Sequence, residues 1–341
     1  MTDPSALSGL PLPEERHGAI GHDAARSAIL TQLRERRLPG AIMLHGPQGI
    51  GKATFAFELA AAILLATGDE SPERVQEQVT ALSHPNLFVL RRRPKDAKGF
   101  YTIIRVEDVR ELRDALHHTR GRAGHRIAIL DSIDDCNPSA ANALLKTLEE
   151  PPADTTFLLI SHRPGQLLPT IKSRCHNLAL RPLADSDVAE VVTASMPGID
   201  DETLQRALGL AGGRPRRAFE TLALSPESPV GALIAWLQAP ENLPAGTSIA
   251  LADAIGSDPQ GPDMSFAREI LLDWLSDEAR NAAMQPDQRL RLASATELWD
   301  KANALLSEAD SVNLDMKQTL SVLFDAIRKH RNTTAIPTES Q

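Results

Sequence analysis

From Gly46 to Thr54 the chain reads Gly-Pro-Gln-Gly-Ile-Gly-Lys-Ala-Thr. A glycine, four residues, then Gly-Lys is the spacing of a phosphate-binding loop, whose backbone N–H groups surround anionic oxygens while the lysine reaches the outer phosphates. Gly46, Gly49, Gly51 and Lys52 fit that pattern. The next position does not. A serine or threonine there would hold Mg²⁺, which bridges the β- and γ-phosphates and neutralises charge during transfer. Ala53 offers only a methyl group. Thr54 carries a hydroxyl one residue later, turned by about 100° on a helix. The same short run therefore predicts phosphate binding and argues against hydrolysis.

A second chemical position lies downstream. The apolar run Arg126-Ile-Ala-Ile-Leu130 ends at Asp131, where a strand-end acid would hold Mg²⁺ through water. Hydrolysing P-loop proteins place a glutamate next, to orient the attacking water. Here it is Ser132, which takes no proton at neutral pH, so the general base is missing. Asp134 and Asp135 follow at a spacing that aims them elsewhere and read as a solvated turn before the next helix. Ala53 and Ser132 are thus two independent defects in one catalytic site. The basic clusters Arg34–Arg37 and Arg91–Lys95 read as solvated loop charges, with a DNA-facing role as the alternative.

These residues need a scaffold. Ala41–His45 is a short apolar run entering the glycine loop and reads as a buried strand, and Lys52–Ala66 has helical spacing with Phe55, Leu59, Ala62 and Ile63 on one face. Leu87–Leu90 predicts a second strand, Val106–His117 a helix, and Arg126–Leu130 a third strand. Asn137 is a suitable N-cap with Pro138 at the first helical position, so a helix runs to Glu150, where Pro151 and Pro152 stop it. Thr156–Ile160 and His176–Leu180 complete five strands. Strands alternating with helices predict a parallel sheet with its ligand site at the carboxyl ends. Beyond Pro182 the pattern turns helical: short helices over Asp185–Ala223 around Gly212-Gly213-Arg214-Pro215, a linker at Ser225–Pro229, then helices over Gly231–Arg331 with Trp236, Trp274 and Trp299 as core anchors.

Composition sets the outer bounds. The chain has 341 residues with 24% charged and 42% hydrophobic side chains, ordinary for a soluble multidomain protein. Aromatics are 4%, so aliphatic side chains build the core. A net charge of −9 argues against a surface built wholly for nucleic acid. No apolar run reaches the roughly 18 residues of a membrane span, and Met1–Pro13 lacks the order of a secretory signal. Cys136 and Cys175 are the only cysteines, which leaves no disulfide framework. The expectation is a cytoplasmic protein.

Asn142-Ala-Leu-Leu-Lys-Thr-Leu-Glu-Glu-Pro-Pro152, followed by Leu168-Pro-Thr-Ile-Lys-Ser-Arg-Cys175, resembles bacterial clamp-loader subunits of the AAA+ class. The two motifs stand in the right order after a P-loop and an acidic strand end, and the resemblance is strong over residues 17–182. It implies an α/β AAA+ P-loop domain with a parallel sheet at residues 1–182, a small helical lid at 183–224, an all-α C-terminal collar domain at 225–331, and a disordered tail at 332–341. Within the family, the altered ATP site resembles a non-hydrolysing subunit more than the gamma/tau motor. The helical remainder matches in layout, including Asn313-Leu-Asp315.

The resemblance assigns roles. Arg174 would be an arginine finger acting in trans, in the ATP site of a neighbouring subunit; without the motif it would read as a surface salt-bridge residue. Gly46, Gly49, Gly51, Lys52, Thr54 and Asp131 would form the chain's own ATP site, where binding is open and hydrolysis is not expected. Arg216 matches a nucleotide-contacting position and reads equally as a helix-surface arginine. Cys175 reads as a packing residue. Many relatives carry a four-cysteine zinc module, but Gly68–His84 contains no cysteine, so no zinc is expected at His84 or elsewhere. The implied partners are motor subunits of gamma/tau type, a clamp-opening delta-type subunit, the sliding clamp, and primed DNA through the complex. A self-sufficient AAA+ ATPase is the rival reading; a P-loop kinase is a third, lacking any evident acceptor site.

Overall fold

The structure, a computed structural model, describes residues 6–7, 9–95, 99–118, 123–225, 227–240, 244–259, 261–284, 289–312 and 314–334. The expected tail lies outside them from residue 335, as does Asn313. Two compact units divide the chain, Met1–Ala223 and Leu224–Gln341.

In the first unit, β1 (Ala41–His45), β2 (Leu87–Leu90), β3 (Arg126–Asp131), β4 (Thr155–Ser161) and β5 (His176–Ala179) form one sheet in the order β2-β3-β4-β1-β5. Every pairing is parallel. The central strands are almost entirely buried, because crossover helices cover both faces of a parallel sheet. Alternation along each strand divides the core. Ile42, Leu44, Ile127, Ile129, Leu158 and Ile160 meet α1 (Asp23–Arg34), α2 (Lys52–Thr67) and α3 (Pro72–Thr80) through Ile29, Phe55, Leu59, Val75 and Val79. Met43, Ala128, Leu130, Phe157 and Leu159 meet α4 (Val106–His118) and α5 (Pro138–Glu149) through Val109, Leu116, Leu144 and Leu148. This is the parallel α/β sheet with crossover helices expected from the sequence.

The cap at α5 is the one its sequence requires: Asn137 Oδ1 accepts from the Ala140 N–H at 2.8 Å, with Pro138 next. Two helices escaped the sequence reading. α1 buries only Ile29 completely, so its apolar stripe is faint. α3 lies within Gly68–His84, a stretch read for its lack of cysteine, although Ser71 caps it, accepting from the Arg74 N–H, and Pro72 opens it. After the short α6 (Pro169–Lys172), the helices α7 (Asp185–Ser195), α8 (Asp201–Ala211) and α9 (Pro215–Ala223) gather around Val188, Val192, Leu208, Ala218 and Phe219.

The second unit is all helical among the described residues: α10 (Pro229–Gln238), α11 (Ala245–Ile255), α12 (Pro262–Ala283), α13 (Arg289–Val312) and α14 (Met316–Thr334). No described helix in either unit is long and apolar enough to cross a membrane. The three tryptophans do not anchor this bundle equally, contrary to expectation. Trp236 is 1% exposed and lies 4.9 Å from the Phe324 ring, whereas Trp274 and Trp299 are only partly buried against the same core. Trp236→Ala should therefore cost ~3–5 kcal/mol in chemical denaturation. Trp236→Phe should cost much less, because the indole N–H has no hydrogen-bond partner among the described residues.

A buried ionic cluster crosses the same bundle. Glu278 Oε1 lies 3.4 Å from His330 Nε2 and accepts from Arg291 Nε at 2.7 Å, while Arg331 stands 3.9 Å from Oε2. The His330 hydrogen bond foremost, and then Arg291, hold the Glu278 carboxyl down at about 2 against the effect of burial. A depressed carboxyl stabilises the fold fully above its unfolded pKa, near 4.5, and loses that contribution as pH falls toward its folded pKa, near 2. Acid titration should thus remove on the order of 3 kcal/mol from this unit across that window. Glu278→Gln should flatten the pH dependence measured by denaturant melts.

Candidate nucleotide site

The glycine loop leaves β1 and enters α2. At Gly46, φ is +153° and an added Cβ would come within 2.2 Å of the Leu180 carbonyl oxygen. At Gly49, φ is +84° and a Cβ would stand 2.9 Å from Arg216 Cβ. Only glycine fits either place, so the loop has kept the shape of a phosphate cradle. Gly51, also at positive φ, is the N-cap of α2, whose first N–H groups lack partners within the helix and favour an anion.

Lys52 is buried, donating to the carbonyl oxygens of Gly46 at 2.8 Å and Pro47 at 2.6 Å. Burial lowers its pKa to about 7, opposed by the charges of Asp134 and Asp131. Thr54 lines the adjoining cleft, and the Ala53 methyl packs at the edge of the apolar layer under α2. The cleft has a volume of about 630 Å³ between the loop, the segment before α1, α7 and α9, within the usual range for a small-molecule site. Asp131, His162 and Arg216 line it together with apolar Leu7, Leu10, Ile20, Val191 and Phe219. Arg16 stands 5.7 Å from the Phe219 ring centroid, its pKa lowered by burial.

Arg216 stands beside the glycine loop. Its backbone N–H donates to the Gly49 carbonyl at 3.2 Å, and its Nε donates to Glu220 at 2.7 Å. His22, which the sequence did not flag, sets a ring nitrogen 2.9 Å from the Ile50 carbonyl.

The strand-end acid has a partner that the sequence reading did not connect with it. Asp131 Oδ2 lies 3.3 Å from Arg91 Nε. Arg91 is fully buried, its two terminal nitrogens donate to the two carboxylate oxygens of Glu14 at 2.9 Å each, and its guanidinium sits 5.3 Å from the Phe57 centroid. Arg91 is therefore neither a solvated loop charge nor a DNA contact. Its neighbours are also paired, Arg92 with Asp135 at 3.1 Å and Arg93 with Asp108 at 2.8 Å. The sheet explains the position: β2 pairs β3 with Leu90 beside Leu130, so the next residues, Arg91 and Asp131, leave the sheet side by side.

The turn after Asp131 is not merely solvated either. Asp134 accepts from the Ser132 hydroxyl at 3.0 Å, the Ser161 hydroxyl at 3.0 Å, the His162 N–H at 2.5 Å and the Arg163 N–H at 3.3 Å. That carboxylate ties the end of β3 to the end of β4 and is committed to that role. Burial pushes the Asp135 carboxyl up and lowers His162 to about 3, so His162 is neutral at physiological pH. The glycine cradle and Lys52 thus fit a phosphate chain, while Ala53, Arg91-bound Asp131 and committed Asp134 do not fit a catalytic Mg²⁺.

Arg174 is elsewhere. It follows α6, does not line the cleft, and is one-third exposed. Its Nη1 donates to the Thr170 carbonyl at 2.8 Å and its Nη2 to Glu149 Oε1 at 2.5 Å. Beside it, Cys175 is buried, its thiol pushed up to about 11, which suits packing rather than reactivity. His84 is also buried, accepting from the Asn86 N–H at 3.1 Å and standing 3.6 Å from Glu70. Among the described residues no group of three His, Cys, Asp or Glu side chains could hold a metal ion.

Comparison with known proteins agrees with this geometry. Residues 21–184 match the family model described as DNA polymerase III, delta subunit. The DNA polymerase III subunit delta' of Pseudomonas aeruginosa is 39% identical over 182 residues, covering 52% of this chain and 54% of that protein. The subunit gamma/tau of Mycobacterium tuberculosis is 28% identical over 216 residues, covering 60% of this chain and 36% of that protein. The matched stretch spans about half the length of the first of these relatives and less of the second. A gamma-subunit-related protein of DNA polymerase III from Thermotoga maritima superposes with a TM-score of 0.41 at 17% identity, covering 89% of this chain and 99% of that chain. Residues 21–184, just under half of this chain, are thus similar to delta-type subunits of DNA polymerase III, with delta-prime and gamma/tau subunits among the relatives of the stretch that holds the glycine loop and the strand-end acid.

Proposed function

We propose that this chain is a delta-prime-type clamp-loader subunit in DNA replication, a stator that does not hydrolyse ATP itself and supplies Arg174 in trans to the ATP site of a neighbouring motor subunit. The observation that carries this reading is the division of labour between two surfaces. The chain's own strand-end acid is held by a buried arginine, while Arg174 lies at the surface away from its own cleft. A guanidinium in that position can be reached by a neighbouring subunit and does not serve the chain's own cleft. A ring built from heterologous interfaces pairs the finger face of one subunit with the nucleotide face of the next.

In this reading the partners are gamma/tau-type motor subunits and a delta-type clamp-opening subunit, and the assembly places the sliding clamp on primed DNA. The chain's own P-loop holds phosphate through the loop N–H groups and Lys52, with Arg216 and Thr54 at its rim. A bound nucleotide would supply negative charge that joins the lid helices to the sheet. The motor alternative draws on the gamma/tau relatives, and Ala53 and Ser132 count against it. The deciding experiment is DNA-stimulated ATP turnover by a complex reconstituted from motor subunits and this chain, native against Arg174→Ala. Loss of turnover with assembly intact, and none from this chain alone, supports the stator. Turnover by this chain alone with no effect of Arg174→Ala returns the motor.

A further inference from the structure

We propose that the P-loop cleft takes a nucleoside di- or triphosphate without a divalent metal, the Arg91 guanidinium holding the Asp131 carboxylate that would otherwise take one. This deepens the reading of the cleft as a nucleotide site and is independent of the role given to Arg174.

Metal-using P-loop sites bring a loop hydroxyl and a strand-end acid to one cation. Here the hydroxyl is replaced by the Ala53 methyl, and the acid is occupied. Arg91 is positioned by more than its contact with Asp131. Both oxygens of Glu14 receive its terminal nitrogens, the Phe57 ring lies against it, and the side chain is shut off from solvent. A guanidinium in a two-point fork is a fixed charge that cannot swing away as a lysine would. A divalent cation approaching Asp131 would meet that charge at close range in a poorly screened interior. Asp134, the nearest other carboxylate, is committed to Ser132, Ser161 and the His162 N–H.

What a phosphate chain needs is nonetheless present. The loop keeps both conformationally obligatory glycines, Lys52 is buried against the loop, and Arg216 is hydrogen-bonded through its backbone to Gly49. The apolar lining from Leu10, Ile20, Val191 and Phe219 suits a base. Arg91 thus occupies the acid, holding the Asp131 carboxylate through Nε while its terminal nitrogens hold Glu14, and the ligand's charge is met by protein groups alone.

The test is equilibrium binding of N-methylanthraniloyl-ADP and -ATP to the full chain by fluorescence anisotropy, in EDTA and in excess Mg²⁺. The expected Kd values agree within about twofold. Binding at least about tenfold tighter in Mg²⁺, or no binding in either buffer, overturns the proposal. The double variant Glu14→Gln/Arg91→Gln takes the charge from both members of the fork and removes the guanidinium that faces Asp131. It should acquire a Mg²⁺ preference of about tenfold. A folded double variant that stays indifferent to Mg²⁺ also overturns the proposal; if it does not fold, the native measurement decides alone. A negative result here leaves the Arg174 reading standing, since that is read in a partner's turnover.

Discussion

Replacing Arg174 by Ala should lower the DNA-stimulated ATP turnover of a reconstituted complex by ~10³-fold or more, because an arginine finger contributes ~10³–10⁵ in rate. The fall should appear in turnover and not in assembly. Arg174 is one-third exposed, and its partners in the free chain are Glu149 and the Thr170 carbonyl, so its loss removes little from the fold. Arg174→Lys should recover only a small part of the rate, since an ammonium lacks the planar fork that spans two phosphate oxygens. The paired control is size-exclusion of the complex with each variant. Normal turnover with Arg174→Ala would leave the motif without its assigned role. Glu149 adds a refinement. It holds the finger's Nη2 in the free chain, so Glu149→Ala should leave turnover within a few-fold of native if the neighbour's phosphates compete successfully for the guanidinium.

Arg91→Met should destabilise the first unit by about 3–5 kcal/mol, the cost typical of removing one partner from a buried ion cluster. This one side chain pairs with two carboxylates, Glu14 through a bidentate pair and Asp131 through a 3.3 Å contact. Methionine fills similar volume and supplies no donor, so the buried Glu14 carboxylate would lose its two-point partner and Asp131 its guanidinium contact. Glu14→Gln should cost less, because Arg91 keeps Asp131 and the amide oxygen still accepts one hydrogen bond. Arg91→Lys should behave more like Met than like Arg, as one ammonium cannot reproduce the fork. Urea denaturation followed by circular dichroism measures all three. A loss below about 1 kcal/mol for Arg91→Met would place this arginine among ordinary surface pairs.

Much of the first unit was legible before any coordinates. β1 and β2 match the expected strands, β3 and β4 extend them by a residue or so at their ends, and α5 stops one residue short of the expected Glu150, a difference within normal helix-end fraying. These elements are written in local chemistry: apolar runs for strands buried on both faces, an asparagine cap followed by proline, glycines where no Cβ fits. The P-loop and the two motifs that resemble clamp-loader subunits are equally local, and they carried the resemblance. The lysine, the strand-end acid and Arg216 do converge on one cleft, as the topology of a parallel sheet requires.

What local sequence could not decide were pairings set by strand order and helix packing. Asp131 and Arg91 are 40 residues apart and Glu14 and Arg91 are 77 apart. Arg91 read as one member of a basic run because nothing near it in sequence announces a partner. It meets Asp131 only because β2 lies beside β3 in register, and it meets Glu14 only because the segment before α1 packs against that end of the sheet. The same holds for Asp134, whose hydrogen-bond donors come from the turn after β3 and from the end of β4 and the residues beyond it, and for Trp236, singled out among three tryptophans by the bundle that encloses it. Residue type and spacing determine which groups can do chemistry; burial and neighbours across the fold determine which of them remain available for it.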